Sequence, residues 1–205
     1  RDQPRSRGLG DVYKRQVIEK GVSESDIEFK YFQLNLGEEI QLKYNMGKQD
    51  IVYGLGENTR GINKRGWIYE SFCTDDPNHA PDKKSLYGAH NFFIVDGEKK
   101  FGVYIDFPSK IIYDVGYEKK DKLQVTIEGK DADIYIINGE TVKDIAQNFL
   151  KIIGKGYVPP KWAFGYMQSR WSYPTEDAVE SLANEFIKRD IPCDGICLDL
   201  DYMDN

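Results

Sequence analysis

Aromatic and carboxylate side chains follow two short apolar segments near the C-terminal end of the sequence. Arg170 and Trp171 come after the first segment, and Asp199 and Asp201 lie at the end of the second. A pyranose packs its C–H face on an aromatic ring, while its hydroxyl groups donate hydrogen bonds to carboxylate oxygens. These residue types therefore indicate a site for carbohydrate.

The segments that position these side chains predict the opening of a parallel β/α barrel. Residues 163–167 and 195–200 are apolar and are predicted strands. Residues 175–189 between them are a predicted helix, because the first turn is acidic and the last turn is basic. In such barrels the active site is lined by residues at the C-terminal ends of the strands. The four polar and aromatic side chains are therefore expected at one end of the barrel.

The preceding part of the sequence has the pattern of short strands punctuated by turns. One hairpin is predicted to join residues 27–36 to residues 40–44, which both alternate apolar and polar residues. A second joins residues 91–95 to residues 101–106, with Asp96-Gly97 expected to supply positive φ angles. Further strands are predicted at residues 110–115, 123–128 and 133–137. Many short strands without a long helix predict a β-sandwich.

A helix and a linker separate the two predicted domains. Apolar residues recur at helical spacing from Thr141 to Ile153, Thr141 can cap the start, and Gly154 follows the end. Gly156-Tyr-Val-Pro-Pro160 then predicts a rigid extended linker. The predicted organisation is a β-sandwich at residues 17–140, a connector helix and linker at residues 141–158, and the start of a barrel at residues 159–205.

Residues 1–16 differ in composition from the rest of the chain. They are Arg-rich and have neither an apolar period nor the apolar core of a signal peptide. Their last six residues, Asp-Val-Tyr-Lys-Arg-Gln, are the translation of a common sequencing-library adapter ending in GATGTGTATAAGAGACAG. We interpret residues 1–16 as an adapter artefact, so that the natural sequence begins near Val17. The alternative is a disordered basic tail.

Charge and cysteine content restrict the partners of the chain. The net charge of −6, with basic and acidic residues interleaved, argues against nucleic acid and against an anionic membrane surface. The three cysteines, Cys73, Cys193 and Cys197, have no CxxC spacing, so neither a disulfide framework nor a zinc site is indicated. Cys193 and Cys197 are interpreted as small buried apolar groups. The sequence thus predicts a cytoplasmic protein without a metal or other cofactor, and it makes no prediction of oligomeric state.

Several motifs in chain order resemble glycoside hydrolase family 31, whose members are chiefly α-glucosidases. The resemblance extends from about Ile51 to the end of the chain. The matching motifs are Tyr53-Gly-Leu-Gly-Glu57, Leu86-Tyr-Gly-Ala-His-Asn-Phe-Phe93, Phe101-Gly-Val-Tyr104, Pro159-Pro-Lys-Trp-Ala-Phe-Gly165, Gln168-Ser-Arg-Trp171 and Asp199-Leu-Asp-Tyr-Met203.

The resemblance implies a multi-domain β plus α/β fold, in which a mutarotase-like β-sandwich precedes the first β/α units of a truncated (β/α)8 TIM barrel. It also implies retaining hydrolysis of a terminal α-glucosidic bond in an oligosaccharide. The family's nucleophile lies in a Trp-x-Asp-x-Asn-Glu motif, and no such motif occurs in the 205 residues. The chain is therefore expected to be an inactive N-terminal fragment that contains no catalytic carboxylate.

The resemblance assigns substrate-binding roles to residues in both domains. Trp171 and Leu200 would wall the glucose pocket, and Asp199 would accept hydrogen bonds from the hydroxyl groups of the sugar. In the family a loop from the sandwich offers an aspartate over the barrel mouth, and Asp75 fits that position best, followed by Asp76. The alternative for Asp75 and Asp76 is that both cap the turn of their loop.

Two further residues are possible supporting groups. Arg170 would bind the ligand or hold a carboxylate behind it. Asp201 would contact the ligand, or else pair with an arginine or cap the next loop. Trp171 also has an alternative as a core aromatic, which its polar neighbours Ser169 and Ser172 disfavour.

Other functions remain open at this stage. A non-catalytic carbohydrate-binding sandwich predicts that residues 17–153 bind saccharide unaided. An aldose epimerase needs a His and Glu pair in the concave sheet, which His79 and His90 support poorly. Within the family, α-xylosidase activity is a further alternative.

Overall fold

The computed structural model describes residues 13–16, 27–29 and 31–203. It divides the chain into two compact units, Arg1–Gly154 and Lys155–Asn205. We call them the sandwich unit and the β/α unit. The residues outside the described ranges include most of the predicted adapter segment.

The sandwich unit consists of two antiparallel sheets. Within the described residues, the first sheet has five strands in the order β1-β11-β8-β7-β5, and the second has six in the order β2-β3-β4-β10-β9-β6. The strands of the first sheet are β1 Tyr13–Gln16, β5 Ile51–Gly54, β7 Phe92–Asp96, β8 Lys100–Asp106 and β11 Asp133–Asn138. Those of the second are β2 Ile27–Phe29, β3 Phe32–Leu36, β4 Ile40–Asn45, β6 Trp67–Ser71, β9 Ile111–Val115 and β10 Lys122–Ile127.

Alternating apolar residues on the two sheets form the core between them. On β10, Leu123, Val125 and Ile127 are buried, and the intervening Gln124 and Thr126 are half-buried on the other face. Because successive strand side chains point to opposite faces, this pattern leaves one face of each strand for the core. The predicted β-sandwich is confirmed.

A helix covers the outer face of the five-stranded sheet. Helix α1, Val142–Ile153, is capped by Thr141, which exchanges hydrogen bonds with Asp144 in a capping box. Ile145 is fully buried, and the ring of Phe149 stacks on Phe92 at 3.9 Å between centroids. The predicted helix and its cap are confirmed, and α1 packs on the sandwich as part of that unit.

The β/α unit has one parallel strand pair and the helix that connects its strands. Strand β12, Met167–Ser169, pairs with β13, Gly195–Cys197, in parallel. Helix α2, Glu176–Lys188, runs between them and is capped by Thr175, whose side chain accepts a hydrogen bond from the Ala178 N–H. A parallel pair needs such a crossover connection. The predicted β/α unit is confirmed.

The predicted bounds of the two barrel strands are wrong. The apolar run at residues 163–167 was expected to be a strand, but Lys161–Phe164 form a 3-10 helix that Pro160 precedes, and pairing begins at Met167. The second strand ends at Cys197, because Asp199 caps a 3-10 helix at Leu200–Tyr202. A short apolar run does not distinguish a strand from a helical turn, which explains both errors.

In the sandwich unit the predicted hairpins are confirmed with two corrections. The expected strand at residues 27–36 is a hairpin of its own, in which Phe29 lies opposite Phe32. Strands β5 and β6 were not predicted, because β5 spans only four residues and β6 precedes a polar loop.

Gly97 is needed for close packing instead of for a positive φ angle. Its φ is outside the left-handed region, but a Cβ at this position would lie 1.9 Å from Oδ1 of Asp50. Asp50 is buried and accepts hydrogen bonds from the Tyr44 hydroxyl at 2.9 Å and the Gly47 N–H at 3.0 Å. The expectation of a positive-φ Asp-Gly turn is wrong, since close approach is what requires the glycine.

The interpretation of Cys193 and Cys197 as buried groups is also wrong. Cys197 is exposed and Cys193 is half-buried, and both are free thiols. Within the described residues β13 has a strand neighbour on one side only, so its other edge is unpaired.

Candidate functional site

Five predicted site residues follow the C-terminal ends of the two parallel strands. Ser169 lies directly opposite Cys197 in the register of β12 and β13. Trp171 is two residues beyond Ser169, and Asp199 is two residues beyond Cys197. The carboxyl ends of parallel strands meet at one edge of the sheet. Trp171 and Asp199 therefore occupy equivalent sequence positions beyond that edge.

The side chains at this edge are open to solvent. Trp171 is 77 % exposed and Leu200 is 58 % exposed, so Trp171 is not a core aromatic in this unit. The guanidinium carbon of Arg170 lies 5.7 Å from the centre of the Tyr173 ring. An exposed indole offers a surface on which a sugar ring stacks.

Asp199 follows the end of β13 and also caps the turn that comes next. Its Oδ1 accepts a hydrogen bond from the Leu200 N–H at 2.7 Å, and Asp201 lies exposed in the first turn of the 3-10 helix that follows. The expectation that Asp199 lies within an apolar strand is therefore wrong. A carboxylate has room for about four hydrogen bonds, so this cap leaves capacity for ligand hydroxyl groups.

In the sandwich unit, Asp75 lies exposed on the segment that follows β6. A hydrogen bond from Tyr87 to Asp75, together with partial burial, raises the pKa of the Tyr87 phenol. His79 makes an edge-on contact with Tyr87 at 5.8 Å between ring centroids. Tyr87 therefore contacts both Asp75 and His79 of the polar loop.

Asp76, the second loop candidate, is held by its own turn. Its Oδ1 accepts the Asn78 N–H at 2.8 Å, and its Oδ2 pairs with the Lys83 ammonium. The Lys83 contact, followed by the Asn78 N–H, lowers the pKa of Asp76. Asp76 thus behaves as the turn-capping alternative expects, whereas Asp75 lies exposed beside Tyr87.

We call residues 72–87 the Asp75 loop, and Arg60 fastens it to the sheet. Arg60 donates from Nε to the Pro81 carbonyl at 2.9 Å and from a terminal nitrogen to the Ile68 carbonyl at 3.1 Å. Its guanidinium lies 4.0 Å from the centre of the Trp67 ring. Inside the loop the Thr74 N–H donates to the Leu86 carbonyl at 2.9 Å. These contacts give the Asp75 loop a defined base.

The Tyr53-Gly-Leu-Gly-Glu57 motif makes the adjoining tight turn. Gly54 has a φ of +111°, and a Cβ there would lie 2.4 Å from the Phe92 carbonyl oxygen. Glu57 accepts the Gly88 N–H at 2.7 Å. Gly54 therefore allows the backbone to turn, and Glu57 braces the segment that follows the Asp75 loop.

The described residues give no indication of a metal centre or a membrane span. They contain no group of three or more His, Cys, Asp or Glu side chains placed to hold a metal ion. Neither described helix combines the length and the apolar character needed to cross a lipid bilayer.

The fold places the chain among proteins that join a mutarotase-like sandwich to a β/α barrel. Residues 16–114 match the glycosyl hydrolase 31 N-terminal galactose mutarotase-like domain, and residues 156–205 match the glycosyl hydrolases family 31 TIM-barrel domain. The chain belongs to glycoside hydrolase family 31.

Relatives of known name agree with this assignment. Alpha-glucosidase 2 of Bacillus thermoamyloliquefaciens is 38 % identical over 160 residues, which cover 77 % of this chain and 20 % of that enzyme. An alpha-xylosidase of Saccharolobus solfataricus is 40 % identical over 167 residues, or 80 % of this chain and 22 % of the enzyme. The chain thus spans about a fifth of the length of the relatives it matches.

A solved structure shows the same architecture. The family 31 dextranase of Flavobacterium johnsoniae, in complex with isomaltotriose, aligns with a TM-score of 0.77 and 31 % identity. The alignment covers 87 % of this chain and 22 % of the dextranase.

Two residues that contact the Asp75 loop or its aspartate, Tyr87 and Arg60, were not singled out from the sequence. Tyr87 lies inside the quoted Leu86-Tyr-Gly-Ala-His motif, so the motif itself was the signal that it adjoins a site. Arg60 gave no signal, because its carbonyl partners lie 8 and 21 residues away in the chain.

Proposed function

We propose that the protein to which these residues belong is a retaining α-glucosidase-type glycoside hydrolase. It removes terminal non-reducing α-linked glucose from oligosaccharides. The observation that carries this proposal is the placement of Trp171 and Asp199 at equivalent positions beyond the paired ends of β12 and β13. Membership of family 31 and the names of the relatives support it.

The residues of this chain bind and orient the sugar. The pyranose stacks on Trp171 and contacts Leu200, and Asp199 accepts hydrogen bonds from its hydroxyl groups. Asp75, which accepts a hydrogen bond from Tyr87, is a further candidate to accept a hydrogen bond from the sugar. Fixing the sugar in this way supplies the orientation that a displacement at the anomeric carbon requires.

The bond-breaking step needs two more carboxylates. In retaining glycosidases one attacks the anomeric carbon while the other protonates the leaving oxygen, and the pair lies about 5–5.5 Å apart. We assign neither role within the 205 residues, which lack the Trp-x-Asp-x-Asn-Glu motif. We therefore expect no α-glucoside turnover from the purified 205-residue chain, and measurable turnover would contradict this.

The test uses the complete enzyme encoded by the parent gene. It should release glucose from p-nitrophenyl α-glucoside with retained α configuration, followed by proton NMR. Asp199→Asn weakens the acceptor for the sugar hydroxyl groups, and Trp171→Ala removes the stacking surface, so each should lower kcat/KM by about 100-fold or more. Asp201→Asn is the matched control and should have a smaller effect. Inversion of configuration, or full activity in Asp199→Asn, would overturn the proposal.

An α-xylosidase is the second candidate, favoured by the 40 % identity to the α-xylosidase of Saccharolobus solfataricus. Xylose lacks the hydroxymethyl group of glucose, so the two sugars differ in the space they need. A kcat/KM at least tenfold higher for p-nitrophenyl α-xyloside than for the glucoside would replace the α-glucosidase assignment.

A further inference from the structure

Polar side chains form a continuous row across the outer face of the six-stranded sheet. Gln33 of β3 lies opposite Lys43 of β4, Lys43 lies opposite Gln124 of β10, and Gln124 lies opposite Asp114 of β9. Paired residues on neighbouring strands share a face, and the strands are about 4.8 Å apart. Four polar groups therefore stand side by side at regular spacing.

A groove of about 170 Å³ runs along this row. The β9–β10 turn walls it with Glu118 and Lys119, and Lys122 closes one side. Asp114 fixes the turn, because its carboxylate accepts the Tyr117 N–H at 2.7 Å and the Glu118 N–H at 3.2 Å. The wall of the groove is thus formed before any ligand arrives.

The floor of the groove has unused hydrogen-bonding capacity. In the part of the chain that the structure describes, no hydrogen bond or ion pair engages the side chains of Gln33, Lys43 or Gln124. Lys43 and Gln124 are half-buried, so each has lost part of its contact with water. A polar group in this state gains from a ligand that restores its hydrogen bonds.

The chemistry of the lining selects a neutral, hydroxyl-rich ligand. Each glutamine amide both donates and accepts, Lys43 donates, and Glu118 accepts, which matches hydroxyl groups that do both. Glu118 and Asp114 offset most of the positive charge of the lysines, so an anion is disfavoured. We propose that this groove is a second saccharide site that binds a neutral α-glucoside oligosaccharide. The identity of the ligand rests on the proposed function.

The groove is accessible within the sandwich unit. Helix α1 packs on the five-stranded sheet, where Ile145 meets Ile94 and Ile137. The outer face of the six-stranded sheet is therefore on the opposite side of the sandwich from α1. A ligand there would hold an oligosaccharide chain on the enzyme without occupying the residues proposed to bind the sugar in the barrel.

The test is a titration of the whole 205-residue chain with isomaltotriose and maltotriose. Two-dimensional NMR of the unsubstituted protein should show saturable shifts at Lys43 and Gln124, with a dissociation constant on the order of 1 mM because the groove is small and open. Calorimetry should show that Lys43→Ala and Gln124→Ala each weaken binding about tenfold. Gln41→Ala is the matched control, because Gln41 lies on the same face of β4 outside the groove.

The outcomes separate this site from the barrel residues. Binding that survives Trp171→Ala and Gln41→Ala but is lost in Lys43→Ala supports the groove. Shifts confined to residues 167–203, unchanged affinity in both groove variants, or no saturation at 50 mM saccharide (roughly fifty times the expected dissociation constant) would overturn it. Displacement of the saccharide by inorganic phosphate would also overturn it, since it would make the groove an anion site. Failure of the glycosidase assay in the complete enzyme leaves this binding result unaffected.

Discussion

The sandwich unit and the β/α unit differ in how far their apolar side chains are buried. In the sandwich unit Val52, Phe93 and Val103 are fully buried between the sheets. In the β/α unit no described residue is buried, and Ile187 is 78 % exposed. The first unit encloses a core, whereas the second presents apolar surface that requires another element to cover it.

The exposed side chains of the β/α unit include both apolar packing residues and the predicted sugar-contacting residues. A cavity of about 430 Å³ between α2 and β13 is lined by apolar side chains that include Phe186, Ile187 and Ile196. The predicted sugar-contacting residues Trp171 and Leu200 are likewise exposed. The buried core thus lies in the sandwich unit, whereas the residues proposed to contact the sugar are exposed beyond the strand ends of the β/α unit.

The largest expected effect is on the free energy of unfolding, and measuring it tests whether the sandwich unit alone has a buried core. Phe93→Ala removes a fully buried ring that contacts Tyr113, so the free energy of unfolding should fall by about 3–5 kcal/mol. Ile187→Ala is the control in the β/α unit and should change it by less than about 0.5 kcal/mol. Urea denaturation followed by circular dichroism measures both. Equal losses would show that the two units share one cooperative core.

A smaller effect concerns the base of the Asp75 loop. Arg60→Ala removes two hydrogen bonds to carbonyl groups and the stacking on Trp67, so stability should fall by about 1–2 kcal/mol. Trypsin should also cleave faster at Lys83 or Lys84. Arg60→Lys keeps the charge but loses the planar fork and should rescue cleavage resistance only in part. Unchanged proteolysis in Arg60→Ala would contradict the fastening role.

The two helix caps provide a matched pair. Thr141→Ala breaks the capping box of α1, which packs on the sandwich, and should lower the free energy of unfolding by about 1 kcal/mol. Thr175→Ala removes the equivalent bond of α2 in the unit without a core and should leave the measured transition unchanged. A similar loss in both variants would mean that α2 unfolds together with the sandwich.

The smallest effect is a pH dependence within the Asp75 loop. The pKa of Asp76 is lowered below its usual 3.8, first by Lys83 and then by the Asn78 N–H. A depressed carboxylate pKa stabilises the folded state above the unfolded pKa, and that contribution is lost as the pH falls through the folded pKa. The amide-exchange protection factors of residues 76–83, measured relative to the intrinsic rate at each pH, should therefore fall below about pH 3.8. Asp76→Asn should abolish this dependence, and an unaltered profile would exclude Asp76 as its origin.

Features with local signals were predictable from the sequence. The cap at Thr141, the helix after Thr175 and the hairpin at residues 91–106 each depend on residues a few positions apart. The chain reversal between Phe29 and Phe32 was missed because it falls within an unbroken apolar pattern. Strand β6 was missed because its partner, β9, lies far away in the sequence.

The candidate site residues were likewise predictable where the signal was a local sequence motif. Asp75, Trp171, Asp199 and Leu200 were predicted from motifs, and their roles stay predictions. The capping bond of Asp76 was foreseen only as an alternative shared with Asp75, and that of Asp199 was not foreseen, since each turn has several candidate acceptors. The contact between Tyr87 and Asp75 depends on how the two ends of a long loop return to each other.

Strand β1 has a practical consequence for preparing the protein. Tyr13–Gln16 pairs with the outer edge of β11, from Tyr13 opposite Ile137 to Gln16 opposite Ile134, yet it lies in the predicted adapter segment. A protein trimmed to start at Val17 would leave the N–H and C=O groups of that edge free to pair with another molecule. Samples made that way would need a charged or proline substitution on β11 to stay monodisperse.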